Sequence, residues 1–189
     1  NCISSSRRLQ NDVLALQNDD QTLAALRNAA TRFGVWISVG SLALKLPADN
    51  RFTNRSFMID PSGQLVAQYD KIHMFDVTLS ETEQYRESDG YRPGDRAVIA
   101  DTIFGKIGMT ICYDIRFPHL YRGLAKSGAS ILLIPAAFAR PTGRAHWEVL
   151  LRARAIETGC FVIAAAQTGE HKATDGRLRK TYGHSMIIS

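Results

Sequence analysis

The order in which helix-like and strand-like stretches follow one another limits what this chain can fold into more than any other feature. From Asp20 to Arg32, Leu23, Leu26, Ala29 and Ala30 fall on one helical face, acidic residues open the segment, and Gly34 follows as a stop. Val35 to Ser41 then reads as a strand. Ser56 to Asp60 and Gln64 to Tyr69 flank Pro61-Ser62-Gly63, which predicts a hairpin. Val98 to Ile103 and Ile107 to Ile111 are strand-like around Phe104-Gly105-Lys106, and a short helix opens at Pro118 and closes near Gly128. Ile131 to Ile134 is an apolar strand. From His146 to Glu157, Trp147, Leu150, Leu151 and Ala155 make a buried helical stripe, with Glu148 and Arg152 able to pair on the other side. Phe161 to Ala166 and Ser185 to Ile188 complete the strands. This alternation, with several strands joined by tight turns, predicts an α/β fold on a mixed sheet with helices over its faces.

The 189 residues, 45% hydrophobic, suffice for one well-packed domain spanning residues 1–189, without repeat, linker or low-complexity segment. The net charge of +5 comes from Lys and Arg scattered among Asp and Glu, with no basic stripe interleaved with aromatics. That pattern argues against a nucleic-acid partner and for a solvated surface that favours anionic substrates. No apolar run approaches membrane-spanning length, so no membrane association is expected. The three cysteines, Cys2, Cys112 and Cys160, have neither CxxC spacing nor histidine ligand spacing. No disulfide framework and no metal site are signalled, and a reducing, cytoplasmic setting fits.

Cys112 ends the run Ile107-Gly-Met-Thr-Ile-Cys112, a strand followed by a turn and a helix opening at Pro118. A thiol there lies near helix N-terminal amides and the positive end of a helix dipole, which favours the nucleophilic thiolate. The amide of Tyr113 could hold an oxyanion. A cysteine at a strand end also serves packing, and the local argument leaves both roles open. Cys160 begins an apolar strand and reads as core. Between Lys71 and Arg96 the chain is polar and reads as a long loop of the kind that carries function.

Five segments in order carry a resemblance: Tyr69-Asp-Lys-Ile-His-Met-Phe-Asp76, Ile107 to Pro118 with CYDIRFP, Pro135-Ala-Ala-Phe138, His146 to Glu157 and Tyr182-Gly-His-Ser185. Together they resemble the nitrilase superfamily of carbon–nitrogen hydrolases. The run from Ala145 to Gln167 with Tyr182-Gly-His-Ser-Met186 is most similar to the deaminated-glutathione amidase branch, with omega-amidases as near relatives. The resemblance implies an αββα sandwich with mixed sheets, a Glu-Lys-Cys triad, pairing into dimers, no metal and no organic cofactor. Its lysine falls on Lys71, its cysteine on Cys112, and a second glutamate that orients the lysine on Glu87. The implied reaction is hydrolysis of a small carboxylate-bearing amide to acid and ammonia through a cysteine thioester.

Ala137 and Phe138 are expected to wall the substrate, and Arg140 or Arg144 to meet an anionic group. The histidines His73, His146 and His184 raise a Cys-His alternative on a doubly wound sheet, and a non-catalytic assembly module is a further one. The triad's glutamate is expected upstream of Asn1, and the closing segment beyond Ser189. On that reading the 189 residues are expected to be an interior piece of a longer enzyme, or a truncated homologue, inactive towards amides until the upstream segment is restored.

Overall fold

The computed structural model describes residues 7–78, 84–172, 176 and 178–189. Glu81, Glu83 and Cys2 lie outside them. The chain divides into two compact units, Val13–Arg96 and Asn1–Asp12 with Ala97–Ser189, with helix α1 (Arg7–Val13) at the junction of the chain segments.

In the unit Val13–Arg96, helix α2 (Gln21–Phe33) is capped at its start by Asp20, whose carboxylate accepts the Leu23 amide at 2.7 Å. It ends on Gly34, whose φ of +62° is left-handed. Strands β1 (Ile37–Leu46), β2 (Asp49–Ile59) and β3 (Leu65–Asp70) form an antiparallel sheet in the order β1-β2-β3. The turn between β2 and β3 is held by Asp60, whose Oδ1 accepts the amides of Ser62 and Gln64 and the Ser62 hydroxyl. Leu23 and Ala30 of α2 pack with Val39, Leu44, Phe57 and Ile59 as the core of this unit. The stretch expected to be a loop contains a small hairpin, β4 (Asp76–Thr78) and β5 (Gln84–Arg86), followed by a 3₁₀ turn at Glu87–Asp89.

The other unit is built on a mixed five-stranded sheet of β6 (Val98–Thr102), β7 (Gly105–Met109), β8 (Ile131–Leu133), β9 (Phe161–Ala164) and β12 (Met186–Ile188), in the order β12-β9-β8-β7-β6. The central pairs β7-β8 and β8-β9 are parallel and the flanking pairs antiparallel. The parallel strands need crossovers, which α3 (Pro118–Lys126) and α4 (Arg140–Thr158) provide. Tyr121 and Leu124 of α3 and Trp147, Leu151 and Ala155 of α4 bury against Leu132, Ile134, Val162 and Ala164. A second hairpin, β10 (Thr168–Lys172) with β11 (Leu178–Tyr182), lies between β9 and β12 in sequence. Among the described residues no helix is long and apolar enough to cross a membrane. The architecture is α/β with a mixed sheet, as the sequence predicts.

Candidate active site

Strand β7 delivers the chain into a tightly held elbow. The Thr110 amide and hydroxyl both donate to Leu133 O, at 3.2 and 2.8 Å, and the Cys112 amide donates to Pro135 O at 2.9 Å, so the parallel ladder extends past the strand ends. Cys112 then takes φ +50°, a left-handed conformation that costs a non-glycine residue about 1–2 kcal/mol. It opens a 3₁₀ helix, Cys112–Arg116, which runs into α3 with Pro118 at the first turn.

Three buried polar residues fix this elbow. Asp114, fully buried, accepts the Ile111 amide at 2.9 Å. Arg154 donates Nε–H to Ile115 O at 2.8 Å and pairs through Nη1 with Glu157 at 2.5 Å. Tyr121 exchanges a hydrogen bond with the Thr110 hydroxyl at 2.8 Å. Burial, and next the Asp114 carboxylate, push the Tyr121 hydroxyl well above its usual range, so it stays a neutral group. Cys112 itself is half-buried and in no disulfide. Cys160 is core, its thiol donating to Ala129 O at 3.1 Å.

In the unit Val13–Arg96, Lys71 follows β3 directly, its amide donating to Asn54 O and its carbonyl accepting the Gly94 amide. Its side chain is only 3% exposed, and Nζ lies 2.5 Å from Glu87 Oε2. The same oxygen accepts the Phe75 amide at 2.7 Å, while Oε1 accepts Asn54 Nδ2 at 3.2 Å. A buried carboxylate with three donors, one of them cationic, meets the condition for keeping two charges out of water. Asp76 secures the turn that carries Glu87 by accepting the Ser88 amide and hydroxyl at 3.0 and 2.6 Å. Burial works against the Asp76 carboxylate, yet the Ser88 bonds outweigh it and hold the group below the ordinary range. The structure thus joins Lys71 to Glu87 and places Cys112 in the other unit.

The remaining expected residues follow β8. Ala137 is half-buried, its carbonyl accepting Arg179 Nη2 at 2.8 Å. Phe138 is buried with its ring 4.9 Å from that of Trp147. Arg140 donates to Thr181 O at 3.4 Å and reaches Glu170 at 3.9 Å. Arg144 is exposed on α4. Tyr113, second in the 3₁₀ helix, stacks edge-on against Phe117 at 5.5 Å. His146 Nδ1 accepts from Arg116, and His184 Nδ1 bonds Tyr182 O. Among the described residues no group of three or more His, Cys, Asp or Glu could hold a metal. Asp114, Arg116 and Arg154 escaped the sequence reading. The available signal for Arg154 was a charge on the Trp147–Leu151–Ala155 stripe, three residues past Leu151.

Comparison with known proteins covers almost the whole chain. A deaminated glutathione amidase of Yersinia enterocolitica is 49% identical over 173 residues, 90% of this chain and 59% of the relative. One from Dictyostelium discoideum is 44% identical over 86% of this chain and 55% of its own length. This chain therefore spans a little over half the length of the curated relatives it matches. Among solved structures, the Caenorhabditis elegans NitFhit protein matches with a TM-score of 0.88 at 40% identity, over 98% of this chain and 44% of that one. Saccharomyces cerevisiae Nit3, described as a member of branch 10 of the nitrilase superfamily, matches with a TM-score of 0.80 at 27% identity, over 97% and 64%. The carbon-nitrogen hydrolase profile matches residues 6–189, and the chain belongs to that family.

Proposed function

We propose that this chain carries the nucleophile and the lysine of a thiol amidohydrolase that acts on deaminated glutathione or a similar carboxylate-bearing omega-amide. The observation that carries the reading is the left-handed backbone of Cys112, a half-buried thiol at the end of a parallel strand and the start of a 3₁₀ helix. Strain of this kind persists only where surrounding bonds over-determine it, and it concentrates where a side chain must be presented for chemistry. Cys112 Sγ attacks the amide carbonyl, forming the C–S bond while the carbonyl electrons move onto oxygen. The Tyr113 amide and the Lys71 ammonium stabilise that oxyanion. Collapse breaks the C–N bond and releases ammonia, and water then cleaves the thioester to the acid.

A glutamate completes the triad, taking the thiol proton and returning it to the leaving nitrogen. Glu87 holds the Lys71 ammonium in place through the hydrogen bond already described. Both compact units belong on this reading to one carbon–nitrogen hydrolase domain, which works as a homodimer in the cytoplasm. The test is ammonia release from a panel of omega-amides by the full-length protein and its Cys112→Ala variant. The expected result is loss of turnover with an unchanged circular dichroism spectrum. Substantial amidase activity without the thiol sinks the mechanism, and no release from any omega-amide by the unaltered enzyme sinks the substrate class.

A further inference from the structure

Among the buried residues of α4, which are Gly143, Trp147, Leu151, Arg154 and Ala155, Arg154 alone is charged. Its side chain is 6% exposed, whereas that of Arg152, two residues before it, is 58% exposed in an ordinary surface pair with Glu148. Stability does not call for a charge at such a place, since a buried ion pair replaced by apolar residues of similar volume is often neutral or stabilising. What the guanidinium touches gives it another purpose.

Ile115 is the fourth residue of the 3₁₀ helix that Cys112 begins, and it is fully buried. In a helix of this kind its carbonyl would accept from the amide three residues on, but that residue is Pro118, which has no N–H. Arg154 Nε–H supplies the donor instead, at 2.8 Å, and Glu157 holds the guanidinium through Nη1 at 2.5 Å. The same guanidinium lies with Cζ 5.3 Å from the Tyr121 ring centroid, and the Tyr121 hydroxyl bonds Thr110 Oγ1 at 2.8 Å. One side chain therefore grips the chain on both sides of Cys112, three residues after it at Ile115 and two residues before it through Tyr121 and Thr110. Between these points Cys112 is kept at φ +50°, which a non-glycine residue holds only under constraint from its surroundings.

We propose that Arg154 is a positioning residue that, paired with Glu157, holds the Cys112 turn in the left-handed conformation from which the thiol attacks. It acts through the Ile115 carbonyl and through Tyr121, and the proposal rests on the amidase reading of Cys112. A displacement of about 1 Å at a reacting atom can cost on the order of 10²-fold in rate. The full-length protein carrying Arg154→Met is compared with the unaltered one in two measurements. One is turnover of glutaramate, the monoamide of glutaric acid; the other is the rate at which iodoacetamide alkylates Cys112 at neutral pH, read on the Cys112 peptide by mass spectrometry. The expected result is a kcat lowered about 10- to 100-fold with KM changed less than about threefold, and a Cys112 alkylation rate lowered about tenfold or more. Arg154→Lys, which keeps a cation and a donor, is expected to lose less of both.

An unchanged kcat, a loss confined to KM, or a Cys112 alkylation rate that is not lowered overturns the proposal. A residue that serves stability alone would lower the urea midpoint and leave both rates of the folded protein as they are. Near-UV circular dichroism identifies a variant that has lost its fold. Removing Arg154 alone leaves the Glu157 carboxylate unmatched, so in that case Arg154→Met with Glu157→Gln decides by the same two measurements. If the unaltered protein releases no ammonia from glutaramate, the amidase reading fails on its own, and the alkylation rate alone decides whether Arg154 positions the thiol.

Discussion

Lys71 illustrates how much a single residue's role depends on what surrounds it. A lysine after a strand is ordinarily solvated, whereas this one is 3% exposed and bonded to a carboxylate that has two further donors. Removing one member of such a pair leaves the other charge buried and unmatched. Lys71→Met is therefore expected to destabilise the protein by about 3 kcal/mol in urea unfolding. Glu87→Gln should destabilise as well, because it leaves the Lys71 ammonium buried without its counter-charge and offers one acceptor oxygen to three donors. Lys71→Met with Glu87→Gln should be more stable than the sum of the single losses implies, by about 1–3 kcal/mol. Additive losses would show that the two side chains are not coupled. In turnover, Lys71→Met should act chiefly on kcat, since the charge that the lysine would stabilise exists mainly in the transition state.

At the scale of elements, the start of α4 shows a local preference reversed by packing. Glycine inside a helix is usually improved by alanine, by about 0.5–1 kcal/mol. At Gly143, in the first turn of α4, an added Cβ would fall 2.4 Å from Tyr182 Cγ and 2.5 Å from Tyr182 Cβ. Those atoms lie near the base of the side chain and cannot swing away, so Gly143→Ala should destabilise by about 1–3 kcal/mol, read as a lowered urea midpoint. A raised midpoint would mean that β11 yields easily. Pro141 and Gly143 also explain why the sequence places this helix at His146, whereas it begins at Arg140. Both residues resemble loop, yet proline is tolerated in a first turn and the glycine is required by Tyr182.

The hairpin β10-β11 was invisible because Gly169-Glu-His-Lys172 offers no apolar alternation, and β4 and β5, at three residues each, are too short to show a period. The elbow was legible for the opposite reason, a continuous apolar run ending at a thiol and closed by Pro118. The resemblance paired Lys71 with Glu87, but the burial of the lysine was not legible, since nothing in its local sequence distinguishes it from a solvated lysine after a strand. Arg116 was hidden in the same way, for Phe138 and His146 reach it from beyond α3.

For the molecule as a whole, each compact unit has its own core and its own tryptophan, Trp36 in one and Trp147 in the other, of the two in the sequence. Trp147 is fully buried, and its indole N–H donates to His184 O at 2.8 Å. The fold has thereby built a spectroscopic label into each half. With Trp36→Phe, the remaining emission should be blue-shifted and should follow the unfolding of the sheet that carries Cys112 alone; with Trp147→Phe, it should follow the three-stranded sheet that leads into Lys71. Denaturation followed at the two wavelengths would then report whether the half that carries Cys112 and the half that carries Lys71 melt in one step or in two, with no dye attached.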